Sequence, residues 1–597
     1  MILPSRKRIV NQVGEWYNTG PIVSSRGRQP GRAVGEVHIA DQGLAFLRRV
    51  GSHRLTCMDH EERKGYPVKR YLILLTVVAM LVAVFATGCG SPQTSGGSIV
   101  YGLTLSPSGI DPHIDASSEL GIPLTSVYDP LIWLTPDGEF VPGLAKSWEV
   151  SEDGLVYTFH LRDDVTFHDG TSFNAKAVRF SLDRIADPET KSRKARGMLG
   201  PYERTEIVDE TTVRVHFQEP YAPFLTSLST VYLAMVSPEA VAEWGDEYQF
   251  HQVGTGPFVF EEYVPKDHLT LVRNEDYDWA PSFFDHQGPP RLEEVTFRFY
   301  TDPATRVLAL ESGEADVMGE IPPRDAVRLD ENPDYELMPV PIPGQPLQFF
   351  FNTRRAPVDD HRVRGALIYA VNRSAIVETV FEAYSPVAYG PLNRPTFAYD
   401  STVEGMYAYD PDRAADLLEE AGWTDSDGDG IRDRDGQPLE LETILMGWGY
   451  IPEVGQILQD QLKQVGVGLE PRQTTFSNAL GDVADGRYHL VPFLFSNSDP
   501  DILRTCFHSS NVDGGFNWSK VSDPQLDAWL EEGKQAMDEA ERREIYAKVQ
   551  QHIMEEAMIL PVRDYVNLNA AAADVQGLRY DRQGWFPWLY EVYVTDR

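Results

Sequence analysis

The chain has 597 residues, 42% of them hydrophobic and 24% charged, a balance typical of a folded soluble protein. Its length allows two or three hydrophobic cores. Acidic residues outnumber basic ones 90 to 53, for a formal net charge of −37. A surface this acidic repels nucleic acid and anionic lipid headgroups, which excludes both as ligands of the folded part.

The first informative segment begins about seventy residues into the chain. Lys69 and Arg70 precede an uncharged run, residues 71–85, and the small residues Ala86-Thr87-Gly88 lead to Cys89. This order is typical of a secretory signal, and the run is shorter than the roughly 20 apolar residues of a membrane-spanning helix. Residues 86–89 resemble a bacterial lipobox, in which the cysteine is acylated. We expect an exported protein, anchored by Cys89 to the outer face of the cell membrane, in a periplasm or at the cell surface.

Signals of this kind act at a chain terminus, and Met58 offers a plausible start. We therefore interpret residues 1–57 as a non-native upstream extension, 58–88 as a lipoprotein signal peptide and 89–97, rich in Gly and Ser, as a flexible tether. The alternative is a cytoplasmic tail before an uncleaved anchor.

The rest of the chain interleaves strands and helices. Residues 156–161, 213–217 and 295–299 have the alternating or apolar pattern of strands. Four helix starts are marked by a capping residue followed by proline, namely Ser237-Pro238, Asp302-Pro303, Asp410-Pro411 and Asp523-Pro524. The third helix should end at Gly422. Residues 525–557 predict two helices broken near 533–537, so the chain is a mixed α/β protein.

The three cysteines, Cys57, Cys89 and Cys506, form no CxxC pair. A zinc ribbon or a thioredoxin-like site is therefore not expected. If Cys89 is lipidated, Cys506 is left without a partner for a disulfide. We interpret Cys506 as a small buried residue rather than a reactive nucleophile.

Several strings of residues resemble one family. They include GLAKSWE at 143–149, YTFHLR at 157–162, VTFHDG at 165–170, PYAPF at 220–224, GTGPF at 254–258, FNT at 351–353 and VRGALIYAVNR at 363–373. In this order they are similar to the bacterial extracellular solute-binding proteins of family 5, the peptide- and nickel-binding receptors of ABC importers. Most of these residues are interpreted as structural, including the glycines, which suit tight turns.

The resemblance implies an α/β, two-lobed, periplasmic-binding-protein-like fold of type II, in the large peptide-binding subclass, with an extra subdomain on the first lobe. We expect lobe I at 98–143, 257–338 and 559–597, its subdomain at 144–256 and lobe II at 339–558. The ligand would lie between the lobes, and closure would be a hinge motion that ligand contacts on both sides stabilise.

Residues 491–504 are the expected ligand segment. In peptide-binding relatives the equivalent strand lines the cleft and pairs with the ligand backbone, and an aspartate just before Asp-Pro-Asp holds the α-amino group of the peptide. Counting back from Asp499-Pro500-Asp501, that place falls on Ser496. A hydroxyl cannot supply the charge that a buried ammonium requires, so we expect an ordinary peptide amino terminus to be recognised poorly.

The remaining candidates follow from the same resemblance. Asp499 either replaces the missing charge or caps a helix. Phe476 and Phe493 stand where relatives often carry tryptophan against the ligand, and aromatic walls suit ligands of varied shape. The full set of candidate ligand residues is Trp448, Phe476, Phe493, Phe495, Ser496, Asn497, Asp499, Arg504 and Trp518.

An acidic loop is a separate candidate. Asp425, Asp427, Asp429 and Asp433 occupy positions one, three, five and nine of a stretch with glycine at six, which resembles the first part of an EF-hand calcium loop. Position twelve is Gly436 instead of glutamate. The alternatives are a structural calcium site and a solvated acidic turn, and no other cofactor is expected.

The sequence therefore predicts the substrate-binding lipoprotein of an ABC importer, a monomer that captures a peptide-like or other small organic solute and delivers it to permease subunits. One alternative is a membrane-anchored hydrolase, but the chain has no GxSxG, HExxH or Walker A motif, and His168 lies in a family turn. The other alternative is a solute-sensing binding protein without a role in transport.

Overall fold

The computed structural model describes residues 96–107 and 109–595. The predicted upstream extension, the signal peptide and Cys89 lie outside these residues, as does most of the tether. Within the described part, no helix combines the length and apolar character needed to cross a membrane.

The first main sheet has seven strands and is mixed. In spatial order its strands are Tyr335–Pro341, Val566–Ala572, Val317–Met318, Ser98–Leu103, Glu294–Phe299, His268–Arg273 and Phe258–Val264. The strand Ser98–Leu103 runs parallel to both of its neighbours, with Tyr101 opposite Phe297 and Val317. The sheet thus joins the beginning, the middle and the end of the described chain.

The second sheet has five strands, which in spatial order are Gly468–Thr474, Glu440–Met446, Leu490–Phe493, Leu347–Phe351 and Ile559–Arg563. The strand Leu347–Phe351 is antiparallel to both neighbours and all its residues are buried. Its apolar run LQFFF therefore fits a strand covered on both faces.

A third sheet is antiparallel and has the order Ala145–Val150, Val156–Leu161, Thr212–Phe217 and Tyr202–Asp209. In Val156–Leu161 the side chains of Tyr157, Phe159 and Leu161 are buried and alternate with more exposed ones. This alternation is what the sequence predicted, and its inner face packs on Phe217 and Phe224.

Short two-stranded ribbons complete the strands. They pair Ile132–Leu134 with Phe140–Pro142, Asp433–Arg434 with Gln437–Pro438, Val575–Gln576 with Tyr593–Val594, and Arg579–Tyr580 with Pro587–Trp588.

The α-helices span Ser118–Leu124, Ala175–Ala186, Ala195–Leu199, Phe224–Leu228, Pro238–Trp244, Pro303–Ser312, Pro323–Asp330, His361–Tyr369, Arg373–Phe381, Pro411–Glu420, Ile451–Lys463, Phe476–Ala484, Ile502–Phe507, Pro524–Gln535 and Glu539–Glu555. The 3-10 helices span Pro188–Thr190, Val231–Leu233, Gly245–Phe250, Ser401–Val403 and Ser509–Asn511. The four predicted helix starts are confirmed, because each predicted capping side chain accepts a hydrogen bond from the first turn.

We call the part built on the seven- and four-stranded sheets the first lobe and the part built on the five-stranded sheet the second lobe. Each has its own hydrophobic core. The chain crosses between them at residues 342–346 and 564–565. The predicted boundaries at 339 and 559 lie a few residues before these crossings. Residue 339 is within the strand Tyr335–Pro341, and residue 559 begins the strand Ile559–Arg563. The sequence of a strand does not indicate which sheet the strand joins.

The family glycines also act differently from the prediction. A Cβ on Gly254 would lie 2.0 Å from the carbonyl oxygen of Val127, and one on Gly256 would lie 2.6 Å from that of Ser126. Neither glycine has a positive φ. Close approach of another backbone segment therefore requires glycine at both positions, rather than turn geometry.

Candidate ligand-binding cleft

The predicted ligand segment lies beside the first crossing between the lobes. The amide of Gln345 donates to the carbonyl of Phe495 at 2.7 Å, and the amide of Asn497 donates to the carbonyl of Pro343 at 3.2 Å. Gly344, with φ of +115°, lies opposite Ser496, and a Cβ there would approach the Phe495 carbonyl to 2.1 Å. Glycine is therefore required where the two segments meet.

This pairing determines which way the backbone of Ser496 points. Phe495 and Asn497 direct their paired groups toward the crossing, so the N–H and C=O of Ser496 point to the other side. No described residue bonds either group. Ser496, which is half-buried, thus offers one backbone donor and one acceptor at the open edge of an extended segment.

Five aromatic rings surround Phe493, the last residue of strand Leu490–Phe493. Their ring centroids lie 4.7 to 6.4 Å from that of Phe493, and they belong to Trp448, Phe476, Phe495, Phe516 and Trp518. Phe493 and Trp518 are each only 1% exposed and form the base, whereas the other four are partly exposed. The structure thus brings all five predicted aromatic residues together and adds Phe516.

A buried amide lies on the same face as Phe493. Gln348 is directly opposite Phe493 in the antiparallel pair, which places both side chains on one side of the sheet. Gln348 is fully buried, and within the described part of the chain its side-chain nitrogen and oxygen have no hydrogen-bond partner. It gives this aromatic cluster a donor and an acceptor.

The first lobe reaches this segment through its C-terminal residues. Trp585 Nε1 donates to Ser496 Oγ at 3.0 Å, and Gln583 Nε2 donates to Ser498 Oγ at 2.7 Å. The Trp585 ring lies 5.6 Å from that of Tyr565, which lies in the second crossing between the lobes. The segment around Ser496 is therefore in direct contact with both lobes.

The structure corrects the role of Asp499. Its two carboxylate oxygens accept hydrogen bonds from Arg542 Nη1 and Nη2 at 2.8 and 2.7 Å, and both side chains are buried. Asp499 Oδ1 also accepts from the amide of Asp501 at 2.9 Å, ahead of helix Ile502–Phe507. A carboxylate fully occupied by a guanidinium and an amide is a structural group, not a ligand group.

Three other predicted contact residues have their side chains engaged within the protein. Arg504 forms a bidentate pair with Asp501 at 2.8 and 2.9 Å, so its guanidinium is also occupied. Trp518 lies behind Phe493 in the core of the second lobe. The Asn497 side chain accepts from the amide of Asp499 at 2.9 Å and thus shapes the turn.

The acidic loop is exposed and lies between helix Pro411–Glu420 and the ribbon Asp433–Pro438. Asp425, Asp427 and Asp429 bring carboxylate oxygens within 4.8 Å of one another. Asp433 is not in this group, because its Oδ2 accepts from the amide and hydroxyl of Ser426 at 2.9 and 2.6 Å. The structure thus assembles three of the four predicted ligands, and any ion would be held by exposed oxygens.

His168, the residue considered as a base, is held by the backbone. Its Nε2 lies 3.0 Å from the carbonyl oxygen of Gly256, and burial lowers its pKa to about 4. An imidazole that is buried and fixed to a carbonyl serves the fold. Cys506 is likewise buried, and its thiol donates to Gln345 Oε1 at 3.1 Å.

An open crevice lies in the first lobe beside the contact between Gln583 and Ser498. It encloses about 370 Å³, including space that opens to solvent. Its lining includes Thr125, Trp133, Ser229, Gln583 and Phe586, and none of the predicted ligand residues. Through Gln583 it adjoins the segment that carries Ser496 and Ser498.

Sequence reasoning missed the residues that the fold brings in from far along the chain. Gln348, Phe516, Tyr565 and Trp585 lie 20 to 148 residues from Ser496 on either side. The only local signals for them are a polar residue in the apolar strand LQFFF and an aromatic pair in the string GGFNW at 514–518.

Comparisons with known proteins agree with this architecture. A sequence model of the bacterial extracellular solute-binding proteins, family 5, matches residues 139–513. The glutathione-binding protein GsiB of Escherichia coli K12 is 31% identical over 466 residues, which cover 76% of this chain and 86% of that protein. The protein of the same name from Pectobacterium atrosepticum is 29% identical over 502 residues, 82% of this chain and 91% of that protein.

Solved structures show the same fold. NikA from Brucella suis, in complex with Fe(III)-EDTA, superposes with a TM-score of 0.74 at 25% identity, over 83% of this chain and all of NikA. The ABC transporter substrate-binding protein CtaP from Listeria monocytogenes gives 0.72 at 27% identity, over 84% of this chain and all of CtaP. These likenesses confirm the predicted two-lobed α/β fold.

The family match covers more than half of the chain, and the Escherichia coli relative is over 30% identical across most of its own length. The chain therefore belongs to the bacterial extracellular solute-binding proteins of family 5, exported proteins that bind a solute for an ABC importer and catalyse no reaction.

Proposed function

We propose that this protein is a lipid-anchored receptor that captures a peptide-like organic solute in the cleft beside Ser496 and delivers it to its permease. The observation that carries the proposal is the open backbone edge at Ser496, because an extended ligand can add to a strand there through main-chain hydrogen bonds. The half-buried rings of Phe476, Phe495 and Phe516 supply apolar contact that tolerates varied side chains.

The chemistry at Ser496 restricts the classes of ligand that can bind there. Its hydroxyl is already the acceptor for Trp585 Nε1, and it carries no charge for an ammonium. Asp499 cannot supply the missing charge, because its carboxylate is paired with Arg542. The ligand is therefore a blocked or modified peptide, or a peptide whose amino group is not in the ordinary place.

Glutathione is one solute of this kind. The curated relatives are named glutathione-binding proteins. In glutathione the first peptide link runs through a side-chain carboxyl, so its ammonium is displaced from the usual position beside the first amide. This chemistry makes glutathione a suitable first probe.

Mass spectrometry of the solutes that co-purify with the protein, followed by calorimetry on ligand-free protein, tests the ligand class. The probes are glutathione, N-acetylated tripeptides and free tripeptides of the same composition. We expect binding of glutathione or acetylated peptides and weak binding of free tripeptides. Purely carbohydrate or lipid solutes, together with no response to any peptide probe, would contradict a peptide-like ligand.

Anchoring through Cys89 is tested separately. Residues 86–89 resemble a lipobox, and an acylated cysteine at the start of the exported chain would hold the receptor at the membrane. Cys89→Ala should move the protein from the membrane fraction to the soluble fraction, whereas Cys57→Ala should leave it at the membrane. Unchanged retention of the Cys89 variant would show that another segment anchors the chain.

A role in import, as opposed to sensing alone, needs a cellular readout. Deletion of the gene should abolish uptake of the labelled solute, and expression of the intact chain should restore it. Normal uptake in the deletion strain, with loss only of a regulatory response, would favour the sensing alternative.

A further inference from the structure

One buried arginine differs from all the other buried arginines of the described chain. The buried arginines are Arg306, Arg364, Arg373, Arg542 and Arg563. Arg306 and Arg542 each pair with a carboxylate. Arg364 donates to four backbone carbonyls and Arg373 to two. Arg563 has neither kind of partner.

The surroundings of Arg563 leave its charge uncompensated. Nη1 donates to the hydroxyl of Ser385 at 2.9 Å, and Nε has no hydrogen-bond partner in the described part of the chain. The guanidinium carbon lies 4.0 Å from the ring centre of Phe381 and 4.5 Å from that of Tyr565. After the Ser385 hydroxyl, the phenol of Tyr565 is the second uncharged polar group beside the guanidinium. The adjacent Asp564 is already paired with Arg394, whose Nη1 lies 2.5 Å from Asp564 Oδ2.

Burial without an anion is costly for a cation. It lowers the pKa of Arg563 to about 10, so the side chain remains charged at neutral pH. The two aromatic faces stabilise a cation only in part, whereas a carboxylate would accept two parallel hydrogen bonds from the planar fork. The site therefore has the chemistry of an incomplete ion pair.

Arg563 also lies where the ligand is expected. It is the last residue of its strand before the second crossing between the lobes. Tyr565 stacks beside it and lies 5.6 Å from Trp585, which in turn bonds Ser496. Burial raises the pKa of Tyr565, and the carboxylates of Glu320 and Glu119 in the first lobe raise this pKa further. The oxygens of these carboxylates are bonded to Arg306 and Thr104.

We infer that Arg563 is a specificity-determining residue that binds a carboxylate group of the solute in the cleft. This assignment rests on the proposed function, since it takes the same cleft and the same peptide-like ligand. It adds that the solute must be an organic acid, with its carboxylate toward the second crossing and its backbone at Ser496. The side chain acts by charge and by its fork geometry, not by chemistry on the ligand.

The test compares two peptide pools that differ only in one charge. The probes are N-acetylated tripeptides with free carboxyl termini and the same tripeptides as carboxyl-terminal amides, measured by calorimetry on the intact ligand-free protein. Because a hydrogen bond to a charged group contributes about 1.5–3 kcal/mol, the wild-type protein should bind the acids about tenfold to a hundredfold more tightly than the amides.

Arg563→Gln should remove this preference, and Arg563→Lys should keep part of it because the charge remains without the fork. The matched control is Arg373→Gln. Arg373 is buried to a similar degree, and burial also lowers its pKa to about 10. Its guanidinium, however, donates to two backbone carbonyl oxygens. Its variant should retain the preference. Thermal denaturation of each variant separates lost folding from lost recognition.

The outcomes distinguish this inference from the proposed function. Equal binding of acids and amides by the wild-type protein overturns the role of Arg563 and leaves the peptide-like ligand standing, and this measurement needs no variant to fold. A preference that survives in a folded Arg563→Gln variant overturns the assignment to this residue. Binding of neither pool contradicts the peptide-like ligand itself, and the role of Arg563 falls with it.

Discussion

The carboxylate of Asp499 and the guanidinium of Arg542 form a doubly hydrogen-bonded pair, at 2.7 and 2.8 Å, between residues that are 43 positions apart. Both are buried, at 4% and 6% exposure. Arg542 Nε donates in addition to the carbonyl of Gly533 at 2.8 Å, near the end of helix Pro524–Gln535. The pair thus fixes the turn at residues 497–501, within the ligand segment, to helices Pro524–Gln535 and Glu539–Glu555.

Asp499→Asn should destabilise the protein strongly. Removal of one charge leaves a buried guanidinium without its partner, which costs about 3–5 kcal/mol in comparable buried pairs. Denaturant unfolding measures the loss. The control is Asp163→Asn, since the pair of Asp163 with Lys146 is exposed to solvent and its loss should change the unfolding free energy little. Normal stability together with lost ligand affinity would show that Asp499 contacts the ligand after all.

The Asp499–Arg542 pair illustrates which features can be predicted from the sequence alone and which cannot. Capping residues, alternating strands and family strings depend on near neighbours, and they predicted the helix starts and the strand Val156–Leu161 correctly. The role of Asp499 depends on a partner in another helix, and no local pattern distinguishes an aspartate that faces a ligand from one that faces Arg542. The aromatic candidates were placed by resemblance to the family, and the fold brings their rings together around Phe493. Arg563 could not be singled out from the sequence, because its distinguishing feature is the lack of a carboxylate or carbonyl partner in the described fold.

Stability should depend on pH through Glu119. This carboxyl is 5% exposed, and burial, with the charge of Glu320 as a second cause, raises its pKa from 4.5 to about 7. Between these values the folded chain holds a proton that the unfolded chain releases. The contribution of Glu119 is therefore fully present below about pH 4.5 and is lost as pH rises to about 7.

Glu119→Gln should remove this dependence, because the amide resembles the protonated acid. Relative to the variant, the wild-type protein should lose up to about 3 kcal/mol of unfolding free energy between pH 5 and pH 8, since a tenfold change in a proton-binding constant corresponds to about 1.36 kcal/mol. Comparison of the two proteins cancels the other titrating groups, such as His113 and His489, whose pKa values burial lowers to about 4. A constant difference between the proteins would show that Glu119 stays ionised.

Calcium binding by the acidic loop is expected to raise the melting temperature. An ion that binds only the folded state stabilises it, by about 1.4 kcal/mol at tenfold excess over Kd. Asp427→Asn should abolish the shift because Asp427 belongs to the assembled group. Asp433→Asn should keep it, since that carboxylate bonds Ser426. Identical melting of chelator-treated protein with and without calcium would mean that the loop is an acidic turn only.

Recognition of the ligand's amino terminus should depend on the charge at position 496. Ser496 offers its backbone N–H and C=O to the cleft but no charge, so free di- and tripeptides should bind weakly. Ser496→Asp should improve their binding roughly tenfold to a hundredfold, because a carboxylate can accept from the ammonium at about 1.5–3 kcal/mol and can still accept from Trp585 Nε1. Calorimetry with one tripeptide and its N-acetylated form measures the change.

Ser496→Asn is the matched control, since asparagine has the shape of aspartate without its charge. It should leave free peptides weakly bound, and neither variant should gain affinity for the acetylated form. Tight binding of free peptides by the unmodified protein would show that another acid holds the amino group. Asp499 cannot be that acid while Arg542 occupies it, and Glu320 is paired with Arg306, so Glu119 of the facing lobe would be the residue to replace next.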